Sequence, residues 1–440
     1  MGREQARLAK RLEKNPIEEC NRTQQKYYPE LFQRFGQTKD TRHQSYIGYT
    51  NRIMLGTLYY KGIAGLSSMQ EMTREFNEDE VVKNLYRFLG SREKEYLPHY
   101  VTMNEYLEKL DPAELENIQS DLVYRMIRRK SFNDAKVLGR WLIIVDGTEL
   151  DEGFTKKNQN YLERTYHRGT DEEFTKYHRS VLEAKIYFGN NLIASIATET
   201  IENSEEYQNK KYTEEAIKQD CESNAFIRIA GKIKKRFPRL PVCIVADGLY
   251  VNEKVMNLCK KYSWDYLIRY KEGCAKSIEE EYQAIPEKGR AGKAEYVNGI
   301  IYKEGMVNVL NYEETKIEKG EKITTKFEWI SSIEITEKNA EKLAAAGRRR
   351  WKIENQGFNR QKHWQGNLEH ACSWDENAQK NHYLMEQIAD FMKQLYEYYY
   401  LKKNGIEKTQ KKIASDLLKS LCEQHRPEDT DKELRNSALN

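Results

Sequence analysis

The chain predicts an α/β fold: a mixed sheet at its core, a helical N-terminal domain before it and a β-rich insertion inside it. Three observations carry this. The apolar runs Trp141-Leu142-Ile143-Ile144-Val145 and Val242-Cys243-Ile244-Val245-Ala246 each end at an aspartate, Asp146 and Asp247. Continuous β-branched runs flanked by turn signals read as strands buried on both faces. Residues 1 to about 130 carry helical spacing and no strand alternation, whereas residues from about 271 to 334 carry β formers separated by glycine and charged turns.

Taken in order, Ser67-Ser68-Met69-Gln70-Glu71-Met72 reads as a cap and helix start. Asp111-Pro112-Ala113-Glu114 opens another helix, with Asp as N-cap and Pro at the first helical position. A strand then ends at Asp146, and 151–178 reads as a polar loop. Val181 to Phe188 and Leu192 to Glu199 form a hairpin closed by Gly189-Asn190-Asn191. A helix over about 210–236 stops at Pro238. Strand Val242–Ala246, a helix over about 252–262 and strand Tyr266–Tyr270 follow. The order β-β-β-α-β-α-β is that of a ribonuclease-H-like core. Helix resumes near Asn339 and carries Glu354, and another helix spans about 378–401. The expected domains are 1–134, helical, a DNA-binding or scaffold domain; 135–270, the first part of the core; 271–334, the insertion; 335–405, the second part with the Glu helix; and 406–440, a C-terminal helix and polar tail.

Bulk properties narrow the function. A chain of 440 residues with 39% hydrophobic content is globular. No stretch approaches the roughly 20 apolar residues of a membrane span, and the N-terminus lacks the apolar core of a signal peptide. Seven scattered cysteines, with no CxxC pair, fit a reducing cytosol better than zinc or disulfides. A cytoplasmic protein is expected, nucleoid-associated when bound to DNA. Net charge is only +4, but residues 341–362 hold seven basic residues against two acidic, and 228–240 hold six against none. Such clusters neutralise phosphates, although 228–240 taken alone reads as a solvated helix face.

The acids carry the chemistry. A carboxylate just past a buried strand stands at the sheet edge, where ligands of open α/β sheets bind. Asp146 and Asp247 with Glu354, in the basic run Arg348-Arg349-Arg350-Trp351-Lys352-Ile353-Glu354-Asn355, are suited to hold two divalent metals. Two metals serve in-line attack on a phosphodiester. All-oxygen ligands select Mg2+, with Mn2+ able to substitute. Asp-Gly is also an ordinary turn signal, so neither aspartate means much alone.

These residues resemble the DDE transposases of the insertion-sequence IS4 type. The carrying segments are Val145-Asp146-Gly147-Thr148, Ala246-Asp247-Gly248-Leu249-Tyr250, Arg350-Trp351-Lys352-Ile353-Glu354-Asn355-Gln356-Gly357-Phe358-Asn359 and Asn367-Leu368-Glu369-His370. The resemblance spans about residues 140–400. It implies a ribonuclease-H-like core with a β-rich insertion between the second Asp and the Glu. It also implies catalytic and metal-binding roles for Asp146, Asp247 and Glu354, and double-stranded DNA partners, both element ends and target. Bringing two ends together implies a homodimer on DNA. The family signature Tyr-x2-Arg-x3-Glu-x6-Lys is matched by Arg350 and Glu354. The Tyr position holds Gly347 and the Lys position Gln361, with Lys362 one place late. In an α-helix Arg350, Glu354 and Gln361 share a stripe and Lys362 lies about 80° round from Glu354.

Arg350, Lys362, Arg349, Lys352 and Asn355 are the expected DNA-binding residues. For Arg350 the plainer reading is a surface partner of Glu354 four residues on. Trp351 and Trp329 read as core rather than base-stacking residues. Two other functions stay open: a DNA-binding descendant with reduced catalysis, and a ribonuclease-H-like nuclease without strand transfer.

Overall fold

The computed structural model describes residues 15–43, 45, 47–158, 160–201, 221–270, 273, 275–318 and 321–424. The start of the helix expected from 210, and the tail after 424, lie outside them. In chain order the helices α1 Pro16–Tyr27, α2 Leu31–Gly36, α3 Asn51–Ala64, α4 Met69–Phe76, α5 Asp79–Phe88, α6 Tyr100–Lys109 and α7 Pro112–Arg128 come first. Strands β1 Trp141–Gly153, β2 Leu162–Tyr166, β3 Phe174–Tyr187 and β4 Ile193–Ile201 follow. Then come α8 Glu222–Arg236, β5 Val242–Ala246, α9 Glu253–Tyr262 and β6 Asp265–Tyr270. Beyond them lie α10 Lys276–Ala284, β7 Gly289–Ala291, β8 Ala294–Tyr302, β9 Gly305–Glu318 and β10 Glu321–Ser331. Helices α11 Ala340–Arg348, α12 Glu376–Tyr396 and α13 Gln410–Leu421 are the last α-helices among the described residues. Among the described residues no helix is long and apolar enough to cross a membrane.

Contacts divide the chain into two units. One takes residues up to Ile118, His363–Asn367 and the chain from Asn377; the other takes Gln119–Lys362 and Leu368–Glu376. In the first, α3 is buried on nearly every side, as a central helix with apolar residues all round must be. Its Gly62 has no room for a side chain, because a Cβ there would overlap Ala389 of α12. Helix α12, expected in the second part of the core, packs in this helical unit. Asn381 Nδ2 donates to the carbonyls of Leu107 and Leu110 at 2.9 and 2.8 Å. The caps follow the sequence: the Ser68 hydroxyl accepts from Glu71 N–H at 3.0 Å and Asp111 Oδ1 accepts from Ala113 N–H at 2.9 Å.

The second unit is built on one ten-stranded mixed sheet, in the order β2-β3-β1-β5-β6-β10-β9-β8-β7, with β4 also paired to β3. Strands β1, β5 and β6 are parallel neighbours; the remaining pairs are antiparallel. The parallel centre is apolar and buried throughout Trp141–Val145 and Val242–Ala246, as a strand covered on both faces requires. Residues 275–331 do not form a separate sheet. Their last strand, β10, pairs antiparallel with β6 from Glu328↔Tyr270 to Ser331↔Leu267, so the β-rich stretch continues the same sheet.

Two expectations about this region need correction. β1 does not end at Asp146 but runs to Gly153, and the polar stretch after it contains β2 and the start of β3. The reason is pairing: past Ile144 the strand leaves β5, while β3 continues beside it through Gly153↔Tyr177. Half-exposed ladder positions accept charged residues, so the sequence there shows no apolar run. Ion pairs across it, Arg179 Nε to Asp151 Oδ1 at 2.5 Å and Lys176 Nζ to Glu152 Oε2 at 2.7 Å, take the place of apolar contacts.

Candidate active site

Asp146 sits where β1 parts from β5, one residue past the buried run. Asp247 follows the last residue of the neighbouring parallel strand and caps the turn Gly248–Tyr250, its Oδ1 accepting from Leu249 N–H at 2.9 Å. The two aspartates therefore leave adjacent parallel strands at the same sheet edge. Glu354 arrives from residues that pack on β1.

The segment bearing Glu354 is not the regular α-helix expected. Helix α11 ends at Arg348, and the chain first tightens: Lys352 and Ile353 N–H donate to the carbonyls three residues back, at 2.9 and 3.2 Å. It then widens into π-helical turns over Ile353–Phe358 and Gln361–Gln365, where Asn359 N–H reaches the Glu354 carbonyl five residues back. Such turns are frequent at functional sites. They also cancel the stripe expected for Arg350, Glu354 and Gln361. Gly357 leaves room there for Lys185 of β3, whose Cε a Cβ would approach to 3.1 Å.

Arg350 does not pair with Glu354. Its Nη1 donates to Asp146 Oδ2 at 2.8 Å, with the two side chains only 12% and 20% exposed. Even so, the Asp146 carboxyl is pushed up from 3.8 to about 6. Burial is the largest cause. Arg350 opposes it, and the negative charges of Asp247, Glu222 and Glu354 add to it. One carboxylate thus feels three others, drawn from the turn after β5, from α8 and from the π-helical segment.

Glu222 is the member that sequence reasoning missed. It opens α8, where an acid suits the helix dipole, and nothing in its neighbours marks it further. The fold sets it against Gly147, where a Cβ would overlap its Oε1 and Cδ and crowd its Oε2. Tyr250 Oη donates to Glu222 Oε2 at 2.9 Å. Burial raises the Glu222 carboxyl, the Tyr250 bond lowers it, and Asp247 raises it. As the side chains stand, no three Asp, Glu, His or Cys groups among the described residues converge into a cation cage.

Two predictions arise here. Gly147→Ala should push the Glu222 carboxylate off its Tyr250 hydrogen bond, at a cost of about 1 kcal/mol. In a Glu222→Ala background the same change should cost measurably less, as urea melts of the four proteins would reveal. The second concerns pH in divalent-free buffer. A carboxyl whose folded value of about 6 exceeds its unfolded 3.8 binds more protons in the native state between those limits. Its contribution is present at low pH and is lost as pH rises through about 6. The stability of wild type relative to Asp146→Asn should fall between pH 4 and 7; a flat difference would refute the assignment.

The remaining expected contacts divide. Lys362 Nζ pairs with Glu369 Oε1 at 3.0 Å. Gln361, at the signature Lys position, is fully buried, where an ammonium would be costly. The Arg349 guanidinium carbon lies 4.7 Å from the Tyr187 ring centroid; Lys352 is half-buried and Asn355 exposed. Trp351 is 44% exposed, not core, and lies beside Arg350 at 4.8 Å. Trp329 is buried, against Gly347. The 228–240 cluster is tied down rather than simply solvated: Arg228 Nε and Lys232 Nζ pair with Glu199 at 2.6 and 2.7 Å, and Lys234 Nζ donates to the carbonyls of Pro238 and Tyr262 at 2.9 and 3.0 Å.

Residues 218–385 match the model of the family described as Transposase DDE domain. The match takes in Asp247 and Glu354 and begins after Asp146. It covers less than half of the chain and supports a DDE transposase, in keeping with the mixed sheet and its many helices. Comparison with curated proteins gives no match.

Proposed function

We propose that the protein is a DNA transposase of the IS4 type. It cleaves the ends of a mobile element and joins the freed 3′-hydroxyl to target DNA. The observation that supports the reading is that Asp146 and Asp247 stand level at the ends of the β1–β5 parallel ladder, and that the Asp146 carboxyl feels the charges of both Asp247 and Glu354, far apart in sequence. The similarity of 218–385 to a transposase domain supports it.

The donor set fits a hard divalent cation, Mg2+ with Mn2+ as substitute: carboxylate oxygens only, with more negative charge than Arg350 balances. Asp146, Asp247 and Glu354 would hold it. When bound, such cations activate the attacking oxygen and stabilise the leaving one. The chain's own groups do the rest. Arg350 holds Asp146 in position and keeps part of its charge neutralised. Freed from Asp146, its planar fork suits a phosphate. Arg349, Lys352, Lys362 and Asn355 line the same stretch as DNA contacts, with Lys362 exchanging Glu369 for phosphate. No side-chain nucleophile is required, because water and then the DNA 3′-hydroxyl attack. Two element ends call for a homodimer on DNA, acting in the cytoplasm at the nucleoid. The domains would then be a helical part reading DNA ends and a sheet unit performing chemistry.

The test is strand cleavage on DNA carrying the gene with its flanks, in Mg2+, followed by a strand-transfer assay. Terminal inverted repeats bounded by short direct repeats should mark the cut sites. Cleavage without joining would favour the nuclease. Binding without cleavage would favour the DNA-binding descendant, a reading kept in play by the Arg350–Asp146 pair and by Gly347 and Gln361 at two signature positions.

A further inference from the structure

Along the sheet from Asp247 lie N–H donors that lack acceptors: the last β5–β6 pair is Ala246↔Ile268, so Arg269 stands level with Asp247. Arg269 of β6 and Trp329 of β10 are direct cross-strand partners. Phe327 is two residues before Trp329, so all three side chains leave the same face. The Arg269 guanidinium carbon lies 5.0 Å from the Phe327 ring centroid, and that of Arg348 lies 4.5 Å from the same ring. Arg348 is neutralised by Glu314. Arg269 has no ion-pair partner among the described residues. Glu328 attracts it, but Glu328 is held by Lys326 at 2.8 Å, whereas Arg350 and Arg348 repel it. The Nε atoms of Arg269 and Arg350 are buried without a hydrogen-bond acceptor; the Trp329 indole Nε1 also lacks one but is packed against Gly347. Native interiors rarely leave such donors unpaired. A group of like charges with spare donors is what an oxyanion would complete.

We propose that Arg269 is a second phosphate-binding arginine beside Arg350, taking a backbone phosphate of the DNA strand engaged at the acids. This rests on the reading of the protein as a DNA-processing enzyme. Phe327 holds the guanidinium plane by cation–π contact, leaving the planar fork for two parallel bonds to phosphate oxygens. Nothing in the sequence marks Arg269, which stands alone within the strand Asp265–Tyr270.

The experiment measures binding of a short fluorescein-labelled duplex by anisotropy across a KCl series, with Ca2+ in place of Mg2+ to suppress cutting. Wild type, Arg269→Gln, Arg269→Lys and Arg290→Gln are compared, the last being an exposed arginine paired with Glu295. Each neutralised phosphate contributes about 0.9 to the slope of log affinity against log salt. Arg269→Gln should lower the slope by about that amount and weaken binding several-fold at low salt. Arg269→Lys should keep the slope but bind more weakly, since a point charge replaces a fork. Arg290→Gln should match wild type. Wild-type slope and affinity in a folded Arg269→Gln protein would overturn the proposal and leave the transposase reading intact. If Arg269→Gln fails to fold, Arg269→Lys decides, and wild-type affinity there overturns it. Absence of salt-dependent binding by wild type would overturn both.

Discussion

Replacing Asp146, Asp247 or Glu354 by alanine is expected to abolish strand cleavage while leaving duplex binding in place. The expected fall is roughly a thousandfold or more in rate for each, equivalent to about 4 kcal/mol of transition-state stabilisation. Each substitution removes a carboxylate and none removes a basic residue. The three are not equivalent in the free protein. Asp146→Ala also deprives Arg350 of the acceptor it reaches at 2.8 Å, leaving a largely buried guanidinium uncompensated, which is costly. A loss of stability should therefore accompany the loss of activity at Asp146. Asp247, on a short capped turn, and Glu354 should lose activity with smaller changes in melting. Cleavage assays in Mg2+ and Mn2+ paired with thermal melts would separate the two effects. Near-wild-type cleavage by any one variant would remove that residue from the site.

The second large effect concerns Gly347, where the signature of the IS4-type transposases that the chain resembles has tyrosine. A Cβ at this position would overlap the Trp329 indole, which is buried to within 1%. Gly347→Ala should cost about 1–3 kcal/mol by overpacking, and Gly347→Tyr, the family residue, should cost more still. Trp329→Ala alone should cost about 3–5 kcal/mol as a large aromatic lost from the core. Combined, Gly347→Tyr with Trp329→Ala should be more stable than the sum of the single changes implies, because the new ring can occupy vacated space. Denaturant melts of the four proteins measure this coupling. Strict additivity would mean that the two positions do not compete for one volume, and the departure from the signature would lose its explanation.

That competition illustrates which parts of the fold were legible in the sequence. Apolar runs revealed β1 and β5, because strands covered on both faces must be continuously hydrophobic. The same rule hid the second half of β1: Gly147 to Gly153 pair with β3 at a half-exposed edge, and Asp-Gly there reads as a turn. Asp146 was chosen because an apolar run ends at it, and that run ends where β1 leaves β5, although the strand itself goes on. Glu354 was chosen from its basic surround and by resemblance. Its π-helical setting was not, because no residue type specifies bonding five residues back. Glu222, Arg269 and the Arg350–Asp146 pair were invisible for a common cause. Each depends on which elements the fold brings together, and local spacing holds no trace of that. Gln361 is informative in the other direction: it is fully buried, which the sequence could only register as a mismatch.

The most direct test of the central claim, a cation-dependent DNA-cleaving site made by Asp146, Asp247 and Glu354, is to map cut sites on a plasmid carrying the gene with its native flanks. Purified protein is incubated with it in Mg2+, and strand ends are located by primer extension, with Asp146→Ala, Asp247→Ala and Glu354→Ala proteins in parallel. The predicted result is Mg2+-dependent breaks confined to the terminal inverted repeats, present with wild type and absent with all three variants. Absence of cleavage by folded, DNA-binding wild-type protein, or breaks that persist in the variants, would contradict it.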